Sequence, residues 1–231
     1  VGTSLTYSHS GVLVSQKPTP RNKGTSVILT DLFQTLPVRH KTFVKGIKRE
    51  YSKLLSLLQA YAVVATNVRI SVSNQTAKSR TTCFATTGNK NISENISNIY
   101  GSKQLQDLEE VKLNLWAVPG EEEEVTKRRQ QHLQGYQLTG LISRMEPKCG
   151  RASTDRQHFY INNRPVDLPK LSKAVNDTYR QFNNRAQFPV FAILFTMPAG
   201  SFDVNVTPNK RTIFVHNESL LAGAIKEFLS A

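Results

Sequence analysis

The chain has 231 residues, with 30 lysines and arginines against 17 aspartates and glutamates, a formal net charge of +13 and 39% hydrophobic residues. That length suits one large domain or two small ones with a real core, and no uncharged apolar run approaches the ~18–20 residues of a membrane span. The opening VGTSLTYSHSG lacks the basic-then-apolar order of a signal peptide, and the two cysteines, Cys83 and Cys149, lack any metal-ligand spacing, which argues against a zinc site or disulfide framework and for a reducing compartment.

The charge is uneven. Thirteen basic and two acidic residues fall in 1–90, five and eight in 91–130, and twelve and seven in 131–231. A positive field of this kind attracts polyanions by counterion release, and nucleic acid is the commonest polyanion in a cell.

Residues 2–16 read as two short strands around a Ser-Gly turn, KPTPRNKG as a basic connection, and TSVILTDLF (25–33) as a third strand. So little sheet cannot bury a core, so this opening is expected to be the tail of a domain lying upstream. From Lys41 the period becomes helical. Phe43, Ile47, Tyr51, Leu54, Leu58 and Tyr61 form one stripe, with Lys45, Lys48, Arg49 and Lys53 on a basic outer face. NVRISVSNQ and TTCFATT alternate as strands, and NISENISNIYG predicts a capped helix ended by Gly101.

VPGEEEEVTKRRQQ has no apolar periodicity and predicts an exposed loop at about 118–132. GYQLTGLISR and QHFYINNRPV follow as strands, then a helix over 168–183 with Leu168, Leu171, Val175, Tyr179 and Phe182 inward. FPVFAILFT reads as a buried strand, FDVNVT as a half-buried one, and the end as a helix carrying Leu220, Leu221, Ile225 and Phe228. The sum is an α+β layer structure.

No GxGxxG, P-loop, HExxH, GxSxG or helically spaced carboxylate pair occurs, so self-contained catalysis is unsupported and no metal ligands are assigned. His9, His40, His132, His158 and His216 are scattered, and Trp116 reads as a core or edge residue. Basic residues remain. Pro208 ends the strand of FDVNVTPNKRTIFVHNE and Asn209 tolerates turn geometry, so Lys210 and Arg211 are expected on a tight bend just beyond it. A lysine there is a point charge on a flexible stem, suited to a terminal phosphate.

Three stretches, GTSVILTDLFQTLPVRHKTF (24–43), TDRQHFYINNRPVD (154–167) and FDVNVTPNKRTIFVHNE (202–218), closely resemble the MutL family of DNA mismatch repair proteins in its eukaryotic post-meiotic-segregation (PMS) branch. The resemblance covers nearly the whole chain, most weakly at EEEEVTKRRQQ. It implies that residues 1–37 are the last strands of a GHKL-type ATPase domain. Residues 38–231 would then be the following transducer domain, of the fold of ribosomal small-subunit protein S-five, domain two.

Within that resemblance Lys210 is the lysine of the Asn-Val-x-Pro-x-Lys turn, which reaches the γ-phosphate of ATP and has a catalytic role, and Gly24 and Thr25 match the last nucleotide-site motif. Arg164 and Lys170 lie at or near family positions of basic, DNA-contacting residues, and Lys45, Lys48, Arg49 and Lys53 are candidates to line the DNA path. The resemblance also implies ATP and Mg2+ in the intact parent, a second MutL homologue as heterodimer partner, MutS homologues that recognise mismatches, and nuclear localisation with no membrane association. The family's Mg-binding Glu/Asn helix, its Asp-Asn-Gly-x-Gly motif and its lid do not occur in this sequence. The segment alone is therefore expected to bind no cofactor tightly and to be inactive as an ATPase. A sequence-independent DNA-binding module and a type II topoisomerase transducer are the rival readings.

Overall fold

The computed structural model describes residues 2–8, 10–116, 123–182 and 187–230. They form two compact units, 1–50 and 51–231.

In the first unit the expected hairpin forms from strands β1 (Gly2–Tyr7) and β2 (Leu13–Thr19), paired antiparallel with a register shift at Thr6/Tyr7. No described residue of 1–50 is buried. The strand expected at 25–33 is absent. Val27, Ile28 and Leu29 lie outside any strand and are about four-fifths exposed, because β-forming residues make a strand only where a neighbouring edge completes the ladder. Beyond them Asp31 and Phe33 take positive φ, and the Phe33 ring meets Phe43 edge-on at 5.7 Å. This contact ties helix α1 (Pro37–Lys45) to the segment before it.

The single long helix predicted from Lys41 is two. Gly46 closes α1 with its N–H on the Thr42 and Phe43 carbonyls, and α2 runs Ile47–Val64. The predicted inward stripe is also corrected: Ile47, Tyr51, Leu54 and Tyr61 are exposed, and the buried end of α2 is Ala60, Ala62, Val63 and Val64. Small side chains there let the helix approach the sheet closely.

The second unit is built on a five-stranded mixed sheet in the order β5-β6-β9-β7-β8. Its strands are β5 (Leu108–Asn114), β6 (Gln137–Ser143), β7 (Gln157–Ile161), β8 (Arg164–Val166) and β9 (Phe191–Thr196), with β7 and β9 parallel and the other pairs antiparallel. Strands β3 (Ser71–Gln75) and β4 (Arg80–Ala85) form a separate hairpin.

Period-two alternation gives the main sheet two apolar faces. Val111, Leu138, Phe159, Ile193 and Phe195 pack with helices α6 (Pro169–Phe182) and α7 (Glu218–Ser230). Leu141, Tyr160 and Ala192 pack on the other side with the end of α2 and helix α3 (Ile92–Tyr100). Two buried side chains fasten that side: Tyr160 donates its hydroxyl to the Ala60 carbonyl at 2.9 Å, and Asn95 donates to the Val63 carbonyl at 3.1 Å. Asn95 thereby satisfies a carbonyl of the last helical turn, which has no partner within the helix.

Several expectations hold. Helix α3 begins at Asn91, whose side chain accepts the Glu94 N–H, and Gly101 ends it. A short α4 (Ser102–Gln106) and strand β5 follow, neither legible beforehand. QHFYINNRPV folds as a hairpin rather than one strand, since Asn162 and Asn163 both take positive φ, the geometry of a two-residue primed turn. The loop expected at about 118–132 is corrected to helix α5 (Glu123–Leu133), while 117–122 lies outside the described residues. Charge anchors this helix where apolar periodicity is missing. Arg129, almost wholly buried, pairs with Glu227 of α7, and Leu133 is buried beneath. The half-buried strand at 202–207 shrinks to β10 (Phe202–Asp203), paired with β11 (Phe214–Val215), because the chain turns at once afterwards.

Gly140 sits in the middle of β6 at φ +149°, and a Cβ built there would lie 2.1 Å from the Ala192 carbonyl oxygen of β9. The Gly140→Ala substitution is expected to destabilise the protein by about 2–4 kcal/mol. Urea unfolding checks this, and an unchanged midpoint would contradict the close approach of β6 and β9.

Candidate functional site

Residues 204–211 form the bend that the sequence predicts, held by its own polar groups. Asn205 N–H donates to Asp203, Thr207 Oγ1 lies 2.8 Å from Asn209 Oδ1, and Arg211 N–H donates to the same Asn209 oxygen at 3.1 Å. Lys210 closes the turn with its N–H on the Thr207 carbonyl at 2.8 Å. Its φ of +52° is uncommon for a residue with a Cβ, so the surrounding bonds must fix it. The Lys210 side chain is exposed, and its ammonium makes no ion pair among the described residues.

A second tie fixes the turn to the sheet. Arg211 forks onto both carboxylate oxygens of Asp167, just past β8, and the Asp167 N–H donates to the Arg211 carbonyl at 2.9 Å. Asp167 and Thr212 also form a parallel bridge. The bend is therefore carried on the hairpin of INNRPVD, and two of the recognised motifs become one substructure. Arg164, half-buried, opens β8 three residues before Asp167, and Lys170 lies three residues after it in the first turn of α6.

The other predicted residues distribute differently. Lys170 Nζ is 2.9 Å from Glu218 Oε2 on α7, so it must leave that partner to meet a phosphate. Lys45 ends α1, Lys48 and Arg49 lie in the first turn of α2, and all three are exposed in the first unit; Lys53, also exposed, belongs to the second. Gly24 and Thr25 lie in the first unit, outside any strand, with Gly24 at φ +141° and open space around its Cα. Its glycine thus meets a backbone requirement there.

Beneath the turn lies a group that sequence reasoning passed over. His158 of β7 is buried, hydrogen-bonded to the Tyr100 hydroxyl at 2.7 Å and stacked on that ring. Burial, reinforced by the Arg211 charge and opposed by Asp155, pushes its imidazole down to about 4. Burial likewise raises the Tyr100 and Tyr160 phenols, so this layer is neutral and sets the exposed cations against a low-dielectric support. No cluster of three or more His, Cys, Asp or Glu able to hold a metal ion occurs among the described residues. Among the described residues no helix is long and apolar enough to cross a membrane.

Residues 118–231 match the family described as DNA mismatch repair protein, C-terminal domain. The chain is 40% identical over 233 residues to mismatch repair endonuclease PMS2 of Gallus gallus, covering 99% of this chain and 26% of that protein. It is 37% identical to DNA mismatch repair protein PMS1 of Arabidopsis thaliana over 231 residues, all of this chain and 23% of the relative. The chain belongs to the MutL family, in its PMS branch.

DNA mismatch repair protein MutL of Syntrophomonas wolfei is a more distant relative, 27% identical over 231 residues, 97% of this chain and 35% of that protein. A crystal structure of the N terminal domain of a DNA repair protein superposes with a TM-score of 0.82 at 36% identity, covering 99% of this chain and 66% of that one. This MutL-family chain spans about a quarter of the PMS relatives it matches.

The buried imidazole gives a pH signature. The unfolded chain takes up a proton on His158 below about pH 6.5 whereas the folded chain does so only near 4, so the unfolded state binds more protons in that window and stability is lost as the pH is lowered through it. The contribution is about 3 kcal/mol between the two pH values. Chemical unfolding at pH 7 and pH 4.5 is expected to show a steeper loss for the native chain than for His158→Gln, and equal losses would mean that His158 is not buried neutral.

Proposed function

We propose that this chain is the ATP-sensing and DNA-binding segment of a mismatch repair ATPase. Residues 1–37 would close a GHKL-type ATPase domain and the remainder would be its S-five-like transducer. Mismatch repair itself follows from family membership. The observation that carries the finer reading is the turn at 204–211, which holds Lys210 at a fixed, exposed position on a bend clamped to the sheet.

ATP, bound mainly by an upstream domain, would supply the γ-phosphoryl group. Lys210 is the chain's own contribution. Its ammonium, free of a competing carboxylate now that Asn209 stands beside it and Asp167 is occupied by Arg211, would hold the terminal phosphate and offset charge developing on it. Gly24 and Thr25 fit a backbone approach to the same nucleotide. The described residues supply no Mg2+ site, so no ligand for that ion is assigned here. Because Arg211 and Asp167 join the turn to β8, a pull on Lys210 would bear on the second unit's sheet, a differential contact of the kind that couples nucleotide to conformation.

DNA would be held through phosphates by Arg164 and by Lys170 once released from Glu218, with Lys45, Lys48 and Arg49 of the first unit and Lys53 of the second as further cations. Contacts of this kind position a duplex without reading its sequence. A second MutL homologue as heterodimer partner, MutS homologues upstream in the pathway and action in the nucleus complete the proposal, supported by the relatives being eukaryotic PMS repair proteins.

Single-turnover ATP hydrolysis by the longer protein that contains this chain tests the proposal. Lys210→Ala is expected to slow hydrolysis by about tenfold or more, a loss of at least about 1.4 kcal/mol of transition-state stabilisation, with folding and nucleotide binding retained. Unchanged hydrolysis together with weakened DNA binding would reassign Lys210 to the DNA surface and leave a sequence-independent binding module.

A further inference from the structure

A second basic site lies at the start of β7, where Arg156 immediately precedes the strand. Tyr100, Lys103, Gln104, Asp107, Arg151 and Arg156 line a polar cleft of about 250 Å³ between α4 and the start of β7. The residues come from three separate parts of the sequence and were singled out by no motif reading.

Arg156 is the unusual member. Its side chain is only 22% exposed, its guanidinium lies over the Tyr100 ring at 4.6 Å, and one nitrogen donates to Gln104 Oε1 at 2.7 Å. Among the described residues that is its sole hydrogen bond, from a group with five N–H donors. The Nε is buried without a partner, 3.9 Å from Asp155 and beyond hydrogen-bond reach. A buried Nε–H without an acceptor is costly, and an acceptor entering the cleft would complete it.

Its neighbours do not supply that acceptor. Asp155 is taken by Arg151, which forks onto it through Nε and Nη2 at 3.2 and 3.1 Å, and by Ser153. Burial would raise this carboxyl, but the Ser153 and Arg151 hydrogen bonds and the Arg151 charge overcome it and hold the group below its ordinary value, as a fixed anion. Lys103 is exposed and has no ion-pair partner among the described residues. Three cations thus face Asp107 and Asp155, leaving positive charge in excess around donors that point at no protein acceptor. Burial and the Arg151 charge lower the Arg156 pKa, in line with an incompletely compensated cation.

We infer that this cleft is a subsite for one backbone phosphate of DNA. A phosphodiester offers several acceptor oxygens in one place, which matches a partly used guanidinium flanked by a lysine and a second arginine. The Lys210 turn is carried on Asp167, which follows β8 across from the start of β7, so the cleft and the turn adjoin the same end of that strand. The inference rests on the DNA-binding reading above and extends the phosphate track to residues outside it.

The test uses the whole 231-residue chain. Duplex binding is measured by fluorescence anisotropy across a salt series for the native chain, Arg156→Gln, Lys103→Gln and Arg164→Gln, with circular dichroism as a folding control. The Arg156 Nε–H signal is followed by NMR during titration with inorganic phosphate. Arg156→Gln and Lys103→Gln are each expected to weaken binding severalfold and to reduce the log–log salt slope by about 0.9, and phosphate is expected to shift the Arg156 signal. If Arg156→Gln misfolds, the exposed Lys103 carries the same comparison. Loss of affinity in Arg164→Gln alone, with native behaviour at both cleft positions, would overturn the subsite and leave the DNA-binding reading standing. A phosphate response without any DNA binding by the native chain would make the cleft a free-phosphate site and overturn both.

Discussion

The candidate site depends on the pairing of Arg211 with Asp167. Asp167 is half-exposed, so water screens the pair and its net contribution to stability is about 0–1 kcal/mol. Its importance is positional. Together with the backbone bond between the same two residues, it converts a bend that could swing on β10 into an extension of the β7–β8 hairpin. Without it, the positive φ of Lys210 would be an unsupported strain, and the ammonium would sample a wide volume at an entropic cost to any phosphate contact.

Electrostatics elsewhere follow a similar division of labour. Among the buried ionisable groups His158 is neutral against Tyr100, Tyr160 is held on the Ala60 carbonyl and Arg129 pairs with Glu227, whereas Arg156 keeps a buried Nε without a partner. The unpaired cations lie at turns and helix starts. The sheet supplies a dry, rigid layer, while surplus positive charge is carried on segments that touch it at one or two fixed points. This arrangement suits a protein that meets a polyanion without enclosing it.

Local signals were legible in the sequence. Asn91 and Gly101 bracket a helix, Pro208 and Asn209 stop a strand, and the continuous apolar run of FPVFAILFT marks the buried β9, because each signal lies in a few adjacent residues. Features set by distant partners were not. Helix α5 has little apolar periodicity and is anchored by Arg129 reaching a glutamate 98 positions away. Lys170 looks free in the sequence, yet Glu218 of another helix claims it. Val27, Ile28 and Leu29 have strand chemistry without a neighbouring edge. The Arg156 cleft joins residues about fifty positions apart, a juxtaposition only the fold creates.

Helix α2 carries a gradient along its own axis. Its last turn is packed under the sheet and has its carbonyls held by Tyr160 and Asn95, whereas Ile47 and Leu54 present apolar side chains to solvent and Tyr51 meets Cys83 of β4 through an exposed hydroxyl–thiol hydrogen bond of 3.1 Å. One continuous helix therefore contains two kinetic regimes. Amide protons near Val64 would exchange through larger openings of the second unit, and those near Ile47 through fraying of the helix start. Any partner that covers the exposed half acts first on a local opening rate, extending slow exchange toward Gly46 residue by residue while the global unfolding free energy changes little.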